Sequence, residues 1–398
     1  MVIRLEYCPA PPQWAIPELP EILIRIRQLT ASALLLSHGP LVRLVARICL
    51  LLSWPMQSLY WTVRMNSKYG QSVKERTGKS RRMQAWQQLC MSIRFFIPAT
   101  HYYRHGVFLE GESWRSASML GRSEAARLFQ CLNSKGKVEI AANKLEFGRW
   151  CQKNELPCVP TIAVVSKREV LGDFSQLDDH ESCFVKPQFG ARGEGASIWR
   201  RTRSGAFAND RDDSEPEHQR RQLLSVGDVQ PVLVQPNLTP HSRLLGYTNG
   251  ALPTVRIVTG KFPCGAVEYV SAILRMPVGK MITDNLGLFS PVIGETGAIG
   301  AARTFHPFGS SLARHPDTGK AFDDLLLPDW SGIQSIALAA HQRLEGYVFL
   351  AWDIACTDEG TVLLETNENW DVLSIQKAHQ CSLIETPFTP IVEAWLDS

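Results

Sequence analysis

The ten cysteines of this chain form no C-x-x-C pair. Cys8, Cys49, Cys90, Cys131, Cys151, Cys158, Cys183, Cys264, Cys356 and Cys381 are scattered, so neither a zinc signature nor a disulfide framework can be read from them. Several lie in apolar runs, where a free thiol packs as a small hydrophobe. A reducing compartment is the simplest setting for such thiols. An excess of one charge is lacking too. The 42 Lys and Arg against 39 Asp and Glu leave +3, too little to argue for a nucleic-acid partner. No unbroken span of about 20 apolar residues is present, the N-terminus lacks the basic-apolar-small order of a signal peptide, and no internal repeat is seen. What is there is a globular composition, 44% hydrophobic and 20% charged, over 398 residues. That length accommodates two or three packed domains.

Residues 31–63 come nearest to a membrane segment. Gly39-Pro40 and Trp54-Pro55 are expected to break the run, and Arg43 and Arg47 fall one helical turn apart on a common face. Two readings stay open: a helix packed on the rest of the protein, or an amphipathic helix lying in a membrane surface with Trp54, Tyr60 and Trp61 at the interface. The basic run Lys74–Arg82 (KERTGKSRR) is either a solvated face or a contact with an anionic surface.

The proline-rich residues 1–20 read as loop, and residues 21–130 mostly as helices, with Leu41, Leu44, Val45 and Ile48 at helical spacing. A helix is expected from about Arg82 to Phe96 and another across Ser113–Cys131, with Ser123 as its cap. Near residue 140 strands and helices begin to alternate. NKLEFGRWCQKNELP reads as a helix capped by Asn143. TIAVV, CFVKP, ASIWRR, PVLVQP, LPTVRIVTG and AVEYVSAILRM read as strands. A charged insertion at 201–222 reads as a loop with a helical end. A helix over 331–347 leads to the strands FLAWDIAC and GTVLLETN, joined by the turn TDEG, whose glycine supplies a positive φ.

That last hairpin carries the clearest chemistry. Asp353 sits in one very apolar strand, and Glu365 and Asn367 sit two apart, hence co-facial, in the next. The turn folds Asp353 back toward Glu365. Three hard oxygen donors on one face suit Mg²⁺, which takes one or two carboxylates together with phosphate oxygens. Carboxylates inside apolar strands need a partner, and a shared cation supplies one. In CFVKPQFGARGEGASIW, a strand ends at Lys186-Pro187 and a loop carries Gly190, Gly193 and Gly195. Small residues let backbone N–H groups approach phosphates, and Lys186 adds a point charge. This is neither a Walker A loop nor a Rossmann fingerprint, since no helix follows. Lys144 stands alone on a helix. The stretch VLVQPNL can offer backbone groups to an adenine edge. Arg256, an arginine inside an apolar strand, must be paired, either in a structural salt bridge or with a ligand carboxylate or phosphate.

In this order the elements resemble the ATP-grasp fold, with the sugar-transfer-associated ATP-grasp family as the closer match. The residues that carry the likeness are Tyr102-Tyr103, TVRIVTG (254–260), HPDTGKAF (315–322), LPDW (327–330) and AWDIACTDEGTVLLETNENWD (351–371). The resemblance implies an α+β protein: two lobes gripping ATP, over 131–240 and 241–398, preceded by a mostly helical region over 1–130. It further implies ATP with Mg²⁺ (or Mn²⁺) as cofactors, and Lys144 and Lys186 on the α- and β-phosphates. The Gly190–Ala196 loop would close over them, and Gln235, Asn237 and Leu238 would frame the adenine. Asp353, Glu365 and Asn367 would hold the metal, with Arg256 at the γ-phosphate or the acceptor carboxylate. Lys186 and Arg256 are the expected catalytic pair. The implied activity is a carboxylate–amine ligase working through an acyl phosphate in cell-surface polysaccharide or glycoconjugate biosynthesis. A phosphotransferase and a nucleotide-binding partner of a glycosyltransferase assembly are the alternatives. A small-molecule or glycan-linked substrate, no nucleic acid, and a cytoplasmic site at the inner face of the membrane complete the expectation. Gln235 departs from the glutamate common at the hinge, and Leu288 stands where a glycine pair is usual.

Overall fold

The computed structural model describes residues 20–33, 39–109, 118–136, 138–172, 176, 180–190, 193–201, 207–209, 224–285, 287–304 and 311–398. The proline-rich start, the beginning of the segment from Ser113, most of the charged insertion and the side chains of Arg43 and Arg47 lie outside the described residues.

The N-terminal part is helical, as expected: α1 (Glu21–Ala33), α2 (Pro40–Thr77), α3 (Arg81–Phe95), α4 (His101–Arg104) and α5 (Arg122–Leu132). Pro40 opens α2 at a position where its missing N–H costs nothing. The break expected at Trp54-Pro55 does not occur, and the helix runs through Pro55 for 38 residues. An internal proline costs about 3 kcal/mol. Here the flanking turns are pinned to α3: the Trp54 indole donates to the Ser92 carbonyl at 2.9 Å, and the Ser58 and Ser92 hydroxyls lie 2.8 Å apart. Trp54 is therefore buried and does not face an interface. α5 is capped by Gly121, two residues earlier than the expected Ser123. The Glu124 carboxylate accepts from the Gly121 N–H at 2.9 Å, and a Cβ at 121 would sit 2.8 Å from His101 Nε2, so only glycine fits.

After α6 (Val138–Ala142) comes α7 (Lys144–Lys153), with Asn143 as the expected cap accepting from the Leu145 and Glu146 N–H groups. An antiparallel sheet follows, built from β1 (Ala163–Ser166), β2 (Glu169–Gly172), β3 (Ser182–Pro187), β4 (Ser197–Arg201), β5 (Phe207–Asn209) and β6 (Val232–Pro236), in the order β2-β1-β6-β3-β4-β5. Its core is Val165, Cys183, Val185, Trp199, Val232 and Val234. The short β2, and β5 inside the charged insertion, give no readable alternation in the sequence.

The second sheet holds β7 (Thr254–Lys261), β8 (Val267–Met276), β9 (Leu288–Ile293), β10 (Ala298–Ile299), β11 (Arg303–Thr304), β12 (Phe349–Thr357) and β13 (Gly360–Asn367). The order is β10-β9-β8-β7-β12-β13, with β11 on β9. Pro291 hides β9 from a propensity reading. One face is covered by α7 and by α8 (Trp330–Arg343), which bury Phe147, Ile333 and Ala337 against Ile257, Leu274 and Trp352. The other face is covered by α9 (Val372–His379), α10 (Phe388–Leu396), α1 and α5, with Ile26 and Phe129 packed among Phe349, Ile375 and Phe388. The helical region is thus not one body. α1 and α5 belong to this core, tied by the buried Arg27–Glu124 pair at 2.7 Å, while α2 and α3 pack on each other. Asn133, which ends α5, accepts from the Val348 and Phe349 N–H groups at 2.8 and 3.1 Å and donates to the Phe349 carbonyl at 3.0 Å. That clamp fixes where β12 begins.

Candidate active site

The register of the second sheet assembles the centre. Asp353 on β12 lies opposite Arg256 on β7 and opposite Glu365 on β13, and cross-strand partners share a face. Two residues further on, Asn367 takes the same face, and Gly360 at φ +129° closes the turn as expected. Between Asp353 and Ile354 the pairing jumps from Glu365 to Leu363, so Leu364 is an extra, bulged residue. Leu364 and Glu365 therefore both line the cavity, although they are neighbours in sequence.

Asp353 is almost fully buried and charge-paired. The Arg256 Nε and Nη2 donate to its two carboxylate oxygens at 2.7 and 2.6 Å, and Arg275 Nη1 donates to Oδ2 at 3.0 Å. Burial alone would raise the Asp353 pKa, but Arg256 and Arg275 outweigh it and hold the carboxyl well below the usual range. Arg275 also donates to Asp284 Oδ1 at 2.9 Å, and the Thr254 hydroxyl donates to the other Asp284 oxygen. A polar chain, Thr254–Asp284–Arg275–Asp353–Arg256, thus crosses β7, β8 and β12. Burial pushes the Asp284 carboxyl up against the pull of Arg275. The Arg256 fork rests on Asp353, which is the salt-bridge option of the sequence reading. Arg275 and Asp284 were missed there, although an arginine in the apolar strand AVEYVSAILRM carries the signal used for Arg256.

Lys186, on β3 of the first sheet, faces the same centre. Burial lowers its pKa to about 8, with Lys144 adding to the fall while Glu365 and Asp353 oppose it. Lys144 is the first residue of α7. Its ammonium donates to the Gly190 carbonyl at 2.7 Å and its N–H to the Gln188 carbonyl at 3.1 Å, while Gln188 Nε2 donates to Asn143 Oδ1 at 2.9 Å. The lysine helix is thereby docked on the glycine loop. Gly193 (φ +66°) and Gly195 (φ +76°) need the left-handed region. A Cβ on Gly193 would lie 2.9 Å from Thr283 Oγ1, and one on Gly195 would lie 2.9 Å from Pro187 Cγ. Gly190 and Gly193 line the cavity, whereas Gly195 packs on Pro187.

At the hinge, the Gln235 amide donates toward Thr161 Oγ1 (3.2 Å) and the Val159 carbonyl (3.4 Å), and Asn237 Nδ2 donates to Ser182 Oγ at 3.1 Å. These side chains brace β6, leaving Leu238 with Phe184, Ile198 and Leu364 as apolar wall. The cavity between the sheets holds about 590 Å³. Lys144, Lys186, Gly190, Gly193, Gln235, Asn237, Leu238, Arg256, Asp353, Glu365 and Asn367 all line it. Arg122, Ser123, Asn369, Trp370, Asp371 and Ser374 line it as well, none of which the sequence reading assigned to the site. Arg122 and Asp371 pair there at 2.7 and 2.6 Å.

The donor set fits a hard divalent cation. Asp353 carries Arg256 and Arg275 on its two oxygens, so Glu365 directly opposite it and the amide oxygen of Asn367 are the donors left open toward such a cation. Among the described residues no group of three or more His, Cys, Asp and Glu side chains is arranged to hold a metal ion.

A sequence family described as sugar-transfer associated ATP-grasp matches residues 123–388. No curated protein matches the chain. Among solved structures, the chain is similar to a D-cycloserine synthetase (16% identity, 65% of this chain and 71% of that one, TM-score 0.37). It is also similar to a D-alanine–D-alanine ligase from Bacillus anthracis complexed with ATP (12% identity, 67% and 68%, TM-score 0.38). A third is the biotin carboxylase domain of 2-oxoglutarate carboxylase from Hydrogenobacter thermophilus (12% identity, 68% and 50%, TM-score 0.38), so the chain spans half the length of that relative.

Proposed function

The chain belongs to the sugar-transfer-associated ATP-grasp family, and from that premise we propose that it is a ligase joining a carboxylate to an amine or other nucleophile through an acyl phosphate. ATP and Mg²⁺ are its cofactors. The substrate carboxylate attacks the γ-phosphorus, ADP leaves, and the nucleophile then displaces phosphate from the acyl group. When bound, the metal supplies Lewis-acid charge neutralisation at the transferring phosphoryl group. Glu365 and Asn367, with Asp353, would hold it. Lys186 and Lys144 bring positive charge to the phosphates. Arg256 and Arg275 keep Asp353 ionised and aimed. Gly190 and Gly193 allow close backbone approach, and Leu238, Phe184, Ile198 and Leu364 exclude water from the base. Catalysis on this reading is positioning and preorganised charge.

The observation that carries the proposal is the meeting of Lys186 from the first sheet, Lys144 from α7 and a carboxylate row from the second sheet across one cavity of about 590 Å³. The family's sugar-transfer association supports a role in cell-surface polysaccharide or glycoconjugate assembly, with a small-molecule or glycan-linked acceptor. A need for ATP places the reaction on the cytoplasmic side. The test is a screen of carboxylates and amines for ATP-dependent phosphate release, with hydroxylamine as trap. A ligase releases phosphate and yields a hydroxamate. ADP formation with neither product would make it a phosphotransferase, and tight ATP binding without turnover would make it a non-catalytic partner.

A further inference from the structure

The α2–α3 hairpin is apolar on its outside and carries a polar row within. Ser58, Thr62, Gln84, Gln88 and Ser92 are all buried, beside Trp54, Met65, Val73 and Met91. Asn66 donates to the Arg81 carbonyl at 2.9 Å and Gln84 to the Gly70 carbonyl at 3.0 Å. The outer surface is apolar. Leu41 (72% exposed), Ile48, Leu52 (76%), Met56 (70%), Leu59 and Val63 follow one another at helical spacing over about 33 Å of α2. On α3, Met83, Trp86 (66%) and Ile93 continue the exposed apolar surface. An ordinary surface hairpin confines its apolar residues to the seam and turns polar ones outward. A buried polar row under an apolar outer face suits helices whose outer solvent is lipid.

Charge says which occupant covers this surface. Residues 40–100 hold ten Lys and Arg against Glu75 alone, a local +9, so the rest of the chain carries −6 within the total of +3. Arg64, Lys68, Lys74, Arg76, Arg81 and Arg82 are exposed and cluster beyond the apolar half, toward the hairpin turn. A second copy of the chain would set +9 against +9, which opposes self-association through this face. Anionic phospholipid headgroups are complementary to it. Among the described residues no helix is long and apolar enough to cross a membrane, which leaves a seat on the surface as the mode of contact to consider.

We propose that α2 and α3 form a membrane-surface anchor, with the outer apolar stripe seated at the headgroup–acyl boundary of an anionic bilayer and the basic half on the phosphates. The cavity between the two sheets is lined by none of these residues, so the anchor holds the enzyme at the surface without entering its chemistry.

The test is flotation of the full-length protein with phosphatidylglycerol-containing vesicles and with pure phosphatidylcholine vesicles. Flotation with the anionic vesicles only, reversed by high salt, is the expected result. The combined variant Leu52→Glu, Met56→Glu, Val63→Glu should stay unbound at unchanged thermal stability, since all three side chains already face solvent. Lys68→Gln with Lys74→Gln should weaken binding roughly thirtyfold, from two charges near the surface. ATP binding should be unchanged in both. The inference is overturned if the wild-type protein ignores anionic vesicles, if it binds both vesicle types alike, or if sedimentation shows a dimer that the triple variant dissociates.

Discussion

Nucleotide affinity should depend on pH through Lys186. Burial holds its pKa at about 8 in the free protein, so near neutral pH the ammonium is mostly charged and above about pH 8 it is not. A triphosphate placed beside the amine favours the charged form and returns the pKa toward or above the ordinary lysine value of about 10.4. Binding above about pH 8 must then take up a proton. Affinity should fall about tenfold per pH unit from there to about pH 10, and proton uptake should approach about 0.9 at pH 9. The last phosphate ionisation is complete well below this range, so the ligand contributes no slope of its own. Calorimetric titration of ATP with Mg²⁺, repeated in buffers of different ionisation enthalpy, reads both quantities. Lys186→Arg keeps a permanent charge and should flatten the profile. An affinity constant across about pH 7 to 10, or a slope that persists in Lys186→Arg, would show that Lys186 does not meet the phosphates.

Glu365→Gln should lower ATP-dependent phosphate release about 10²-fold or more with unchanged thermal unfolding; activity near wild type would remove Glu365 from the metal site. Asp353→Asn leaves Arg256 and Arg275 buried without their shared anion and should destabilise the fold by about 3–5 kcal/mol in denaturant titration. Because the folded Asp353 pKa lies below its unfolded value, its contribution is present above the unfolded carboxylate pKa and is lost as pH falls, so the acid limb of the stability curve should flatten in that variant. Gly193→Ala meets both a positive φ and Thr283, and should raise the KM for ATP roughly tenfold while lowering global stability by no more than the loop strain of about 1–3 kcal/mol. Asn133→Ala leaves the buried N–H groups of Val348 and Phe349, at the entry to β12, without their acceptor and should cost about 1–3 kcal/mol in the same denaturant assay.

Much of the site was legible because its residues break local rules. A carboxylate in YVFLAWDIAC, a Glu-x-Asn pair in TVLLETN and an arginine in LPTVRIVTG are out of place in apolar strands, and period two fixes their common face. Asn143 declared α7 by its side chain. What stayed hidden depends on tertiary register. Nothing local says that Arg275 reaches both Asp353 and Asp284, or that Arg122 and Asp371, which are 249 residues apart, line the same cavity. Pro55 misled because its cost is weighed against contacts with α3, which only the fold reveals. Ser123 misled because Glu124 reaches back to Gly121, leaving the serine inside the helix.

An alternating strand shows a given pocket only every second residue. The insertion of Leu364 escapes that limit, setting a greasy side chain and an acid next to each other on the same wall. Since Ile354 pairs with Leu363 and Asp353 with Glu365, excising Leu364 would leave both pairings regular and the acid where it stands. On the proposed function, base selection and phosphate chemistry on this strand would be separable handles: one lies in a residue that can be taken out, the other in a neighbour that would not move.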